Sequence, residues 1–88
     1  MPTISMFFGI IIRMYYAPKK HNPPHLHAYY QESVATVNIL DNEIIERQIP
    51  LRQLRLVQAW IEIHQEDLIA NRELCQNGEK PFQIEPLK

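Results

Sequence analysis

The 88-residue chain has little cysteine, little glycine and no long apolar run. Cys75 is the only cysteine, so no internal disulfide framework exists. A single unpartnered thiol fits a reducing compartment. Gly9 and Gly78 are the only glycines, which excludes a phosphate-binding glycine loop, a dinucleotide fingerprint and a nucleophile elbow. The apolar stretch from Phe7 to Ile12 is interrupted by Gly9 and ended by Arg13. A membrane helix needs roughly 20 apolar residues. No basic start or small-residue cleavage site marks a signal peptide. A cytoplasmic protein is therefore expected. The net charge of −1 excludes a polycation that binds nucleic acid through bulk charge. Charge is nevertheless uneven: residues 1–40 sum to +2 and residues 41–88 to −3.

What is present reads as one folded domain over residues 1–88. A hydrophobic fraction of 45% against 22% charged is too apolar for a mainly disordered chain. Ile4, Met6, Phe8, Ile10, Ile12, Met14 and Tyr16 fall on every second position, which predicts a long strand over about 4–16 with one face in the core. Gly9 reads as a bend or bulge within it. Pro18, Pro23 and Pro24 predict a stiff loop. Strands are expected over about 25–31, 34–40 and 43–49, with a tight turn at Asp41–Asn42. Pro50 suits a helix start, and no proline or glycine interrupts residues 51–77. Leu54, Val57, Ile61, His64 and Leu68 form a helical stripe, widened by Leu56, Trp60 and Ile63. At this length the helix either breaks or overhangs the sheet. Gly78 fits its C-terminal cap. The tail 79–88 should be extended, with Phe82, Ile84 and Leu87 able to dock. The fold class is α+β: an antiparallel sheet of about four strands with one long C-terminal helix on one face.

Chemistry concentrates in His21-Asn22-Pro23-Pro24-His25-Leu26-His27. On a strand, His25 and His27 leave the same face about 6.6 Å apart. The prolines would restrict where His21 is held. His21, His25 and His27 could ligate a divalent transition metal such as zinc, with His64 as a fourth ligand if the helix covers their face. They could equally move protons near neutral pH, or only shape the loop. No carboxylate lies inside the cluster, and no second ligand pair completes a zinc-finger spacing. Otherwise His64 reads as a core histidine bonded to a backbone carbonyl. Arg13, Lys19, Lys20 and Tyr29 are candidate phosphate or RNA contacts, with Tyr15, Tyr16 and Tyr30 as further aromatics nearby. Cys75 reads as inert.

The start Met1-Pro2-Thr3-Ile4, the Phe8-Gly9-Ile10 run, Ile12, Met14 and Tyr15 resemble a family of small prokaryotic proteins. So do the block from His21 to Ala28, Ile49-Pro50, Trp60, His64 and Ile84-Glu85-Pro86-Leu87. The family is catalogued as domain of unknown function 4160, and the resemblance spans essentially the whole chain. Lys20 replaces the family's usual acidic residue before the first histidine, Leu26 its frequent Phe and Arg72 its frequent Trp. The family's genes commonly neighbour a small gene of domain of unknown function 2442, a layout that resembles a toxin–antitoxin module.

The resemblance implies a small toxin or its partner, and the residues leave two main routes. One is a toxin acting on RNA, with His25, His27 and His21 catalytic. The other is a non-catalytic interaction domain that uses a strand edge or an outer helix face of Leu56, Trp60 and Ile63. A metal-dependent hydrolase is a third. The co-encoded protein, RNA and a second copy are the expected partners.

Overall fold

The structure, a computed structural model, describes residues 2–14 and 25–88. The element order is β1 (Thr3–Phe7), β2 (Ile10–Arg13), β3 (His25–Tyr30), β4 (Ser33–Asn38), β5 (Ile44–Arg47), α1 (Leu51–Ile63) and α2 (Gln65–Gln76). The strands form one antiparallel sheet in the order β1-β2-β3-β4-β5. The α+β class stands, with five strands and two helices among the described residues in place of four and one.

The predicted first strand is a hairpin. Phe7 pairs with Ile10, and the two residues between them, Phe8 and Gly9, have φ of 51° and 78°. Positive φ at both central residues is the type I′ pattern, whose twist matches the flanking strands. Gly9 adopts it without steric penalty; Phe8 does so under strain. A register shift between Thr3 and Ser5 also breaks the alternation. Ile4, Phe7, Ile10, Ile12 and Met14 therefore enter the core, while Met6 and Phe8 are 62% and 59% exposed. The expected alternation of Met6 and Phe8 into the core is corrected by the turn and this bulge.

A straight helix from Leu51 to Gln76 would measure about 39 Å at about 1.5 Å per residue. The longest extent of the fold is 33 Å. The chain breaks at His64, which has φ −108° and ψ 30° and caps both helices. The stripe continues across the break: Leu54, Val57, Ile61, Leu68 and Cys75 are buried, with polar Asn71 buried among them. At the end of α2, Glu79 N–H donates to the Leu74 carbonyl and Gly78 N–H to that of Cys75, with Gly78 at φ 77°. This is the Schellman arrangement that Gly78 suggested.

Both helices cover the face bearing Leu26 and Ala28, which are fully buried in one cluster with Leu54 and Trp60. The turn after β4 is tied to α1. Asn42 Nδ2 donates to the Gln58 carbonyl at 2.9 Å, and Gln58 Nε2 donates to the Asn42 carbonyl at 3.1 Å.

The tail is held by its backbone. Buried Asn71 donates from Nδ2 to the Phe82 carbonyl and accepts from Phe82 N–H, each at 2.9 Å. Trp60 Nε1 donates to the Glu85 carbonyl at 2.8 Å, and Ile84 N–H donates to the Ile4 carbonyl at 2.8 Å. Ile84 is buried and Leu87 packs on the core, as expected, but the Phe82 side chain stays exposed. Only its peptide groups are used.

Two stability outcomes follow. Asn71→Ala leaves a buried N–H and carbonyl unmatched and opens a small void, so urea unfolding should show a loss of about 2–4 kcal/mol. Phe8→Asn relieves the left-handed strain and creates the preferred Asn-Gly turn. It should gain about 1 kcal/mol in the same measurement.

Candidate functional site

Residues paired across a sheet share a face. Arg13 pairs with His27, His27 with Thr36, and Thr36 with Glu46. Thr3 pairs with Arg13 at the far side. These five residues form a polar row across the face opposite the helices. His25 and Tyr29 flank His27 along β3, as period two requires.

The row is tightly connected. The His25 and His27 rings meet edge to face with centroids 5.2 Å apart. His27 and Tyr29 centroids lie 6.3 Å apart. The Arg13 guanidinium carbon sits 5.1 Å from the Tyr29 centroid, within range of a cation–π contact. Arg13 Nε also donates to Thr3 Oγ1 at 3.3 Å. Thr36 Oγ1 lies 3.4 Å from His27 Nδ1, a contact that orients the ring.

His27 is held below the ordinary histidine range. Desolvation is the largest cause, the neighbouring His25 is the second, and Glu46 partly opposes both. Burial and a like charge each disfavour the imidazolium. The effect is a neutral imidazole at pH 7, able to accept a proton.

The sequence-predicted residues divide. Arg13, His25, His27 and Tyr29 come together on one face. His21, Lys19, Lys20, Tyr15 and Tyr16 lie outside the described residues. His64 does not join the strand histidines, because the helices pack on the Leu26/Ala28 face and the sheet lies between. Its ring stacks beside Trp60 at 5.4 Å, and its Nδ1 is 3.6 Å from Asp67 Oδ2, so its partner is a carboxylate rather than a backbone carbonyl. Among the described residues no group of three His, Cys, Asp or Glu is placed to hold a metal ion. The expected three-histidine site turns on His21. Cys75 is buried, and burial pushes its thiol up, in keeping with an inert role.

Thr36 and Glu46 were not singled out from the sequence. The signal for Thr36 lay in the turn: with Gln31–Glu32 at the tip, pairing runs from Tyr30–Ser33 outward to His27–Thr36. Glu46 sits two strands from His27 beyond a register shift, and no local pattern marks it.

The lowered pKa of His27 makes stability depend on pH. The folded state resists protonation of this ring while the unfolded chain does not. Its contribution is complete above about pH 6.5, the unfolded value. It falls as pH drops below that value and levels off once the folded ring is protonated too. His27→Gln is expected to flatten this part of the stability–pH curve, as read by thermal unfolding between pH 7.5 and 5. An unchanged slope would place the loss elsewhere.

Among the described residues no helix is long and apolar enough to cross a membrane. No curated protein matches the chain, and no solved structure matches it. Residues 9–72 match the family described as a domain of unknown function, DUF4160. That span runs from the β1–β2 turn through β3 and its histidines into α2, and the chain belongs to this family.

Proposed function

We propose that the protein is a small toxin-type component that cleaves RNA by metal-independent transesterification on the sheet face opposite the helices. The observation that carries this reading is the imidazole pair of His25 and His27 at 5.2 Å, beside an arginine fixed against Tyr29. His27, neutral near pH 7 and oriented by Thr36, takes the proton of a ribose 2′-hydroxyl. The 2′-oxygen attacks phosphorus and the bond to the 5′-oxygen breaks. His25 delivers a proton to that leaving oxygen. The products are a 2′,3′-cyclic phosphate and a 5′-hydroxyl end, and exchange with water restores both rings. Arg13 stabilises charge on the non-bridging oxygens.

The reaction needs no ion. A metal variant of the same site, with His21, His25 and His27 holding zinc and activating water, would make a metal-dependent hydrolase instead. The two chemistries differ in their ends, since water attack leaves no cyclic phosphate. A cytoplasmic setting suits both.

A second reading has its own observation. All four residues of β5 are exposed at the end of the sheet, with Ile44 and Ile45 adjacent. Exposed edges invite strand pairing. A non-catalytic interaction domain, or the toxin in complex, would use this edge to bind the co-encoded protein resembling domain of unknown function 2442. The helix surface offers less than expected: Trp60 is fully buried and Leu56 packs against the core, which leaves Ile63 alone strongly exposed, at 65%.

Purified protein incubated with RNA, with products read by mass, tests the first reading. His25→Ala and His27→Ala should each lower cleavage by about 10²–10⁴-fold while melting as folded proteins. Thr36→Val should lower it less, and the acid limb of kcat/KM should lie below pH 6.5 because His27 titrates there. Unaltered cleavage in both histidine variants would remove the mechanism. The loss of cleavage on chelation, with linear phosphate ends, would move it to the metal variant.

A further inference from the structure

An apolar row lies directly beside the Arg13–His27 row, on the face opposite the helices. Met6 pairs with Ile11, Ile11 with Tyr29, and Tyr29 with Val34. The hairpin end carries a shallow depression of about 400 Å³, lined by residues that include Met6, Phe8 and Ile11. Phe8 combines two unfavourable states. It is a bulky side chain at φ 51°, and it is 59% exposed. Its ring meets Phe7 edge-on at 6.4 Å without being buried. Folding gains little from either state, and retained backbone strain at an exposed aromatic is a pointer to ligand contact.

Resting on the RNA reading above, we infer that Met6, Phe8 and Ile11, beside the Arg13-capped Tyr29, form a shelf for the base of the nucleotide next to the scissile phosphate, so that the substrate is unpaired RNA. Along β2, β3 and β4 the rows are two residues apart, about 6.6 Å, so a nucleotide whose phosphate meets Arg13 can lay its base on the shelf. The three shelf residues carry no formal charge. That suits the π-face of a base, while the cation held over Tyr29 marks where the backbone runs. Stacking of this kind tolerates any base but requires that the base be free, which a duplex prevents.

The experiment is fluorescence anisotropy with a labelled 2′-O-methyl single strand, which binds but lacks the hydroxyl needed for cleavage. A matched duplex and a strand with abasic positions serve as competitors, and unmodified RNA is assayed for cleavage in parallel. The intact single strand should bind at least 10-fold more tightly than either competitor. Phe8→Asn and Ile11→Thr should each weaken it at least 5-fold, Phe8→Asn while melting higher than the wild type. Equal binding of the abasic strand, or undiminished binding by Phe8→Asn, overturns the shelf. If RNA is cleaved and the shelf variants cleave it equally well, the shelf falls and the nuclease reading stands. Base-dependent binding without cleavage leaves the shelf and removes the nuclease. Absence of binding to every strand removes both. If Phe8→Asn loses only the co-encoded protein and not RNA, the row is a protein contact and the inference is wrong.

Discussion

The Trp60 side chain ties together parts of the chain that no hairpin connects. Its indole is fully buried, lies 5.5 Å from the Phe7 ring and 5.4 Å from the His64 ring, and donates its N–H to the Glu85 carbonyl. One side chain thus touches the first strand, the helix break and the tail. A buried indole N–H needs an acceptor, and the extended tail supplies it. The remaining architecture follows from that anchorage. With α1 seated on the Leu26/Ala28 face, the histidines of β3 are left on the other.

That separation divides the work of the sheet. One face supplies the hydrophobic stabilisation that an 88-residue chain must gather from a single core. The opposite face carries polar groups in contact with one another, with Thr36 buried among them. His27 shows the compromise: Thr36 holds its ring while His25 and partial burial oppose its charge. A site on paired strands is fixed more firmly than one on a loop, because the ladder sets where each side chain leaves the sheet.

The fold was readable wherever a local rule sufficed. Alternation around His25–Tyr30 placed His25, His27 and Tyr29 on one face, and Gly78 marked the helix end. Reading failed where one residue alters the period. Phe8–Gly9 forms a hairpin although Phe disfavours the required conformation, so a bend within one strand was the natural reading. Trp60 could be read either as widening the core stripe of Leu54, Val57 and Ile61 or as part of an outer face with Leu56 and Ile63, and its full burial selects the core. Neither the pairing of β2 with β3 nor the facing of Glu46 could be read, since both depend on tertiary packing. The break at His64 was anticipated from length, but its position was not, because no proline or glycine marks it.

The pairing of tail and first strand has a consequence for synthesis. Ile84 reaches Ile4 across almost the entire chain, while every strand–strand contact joins neighbours in sequence. The meander can form hairpin by hairpin as the nascent polypeptide lengthens. The outer edge of β1, by contrast, stays open until residue 84 has emerged. At about 5–20 residues per second, that leaves a bare strand edge exposed for several seconds behind a nearly complete sheet. Closure of the fold is thus a late, C-terminal event, and each ribosome carries an unprotected template for strand pairing until it occurs.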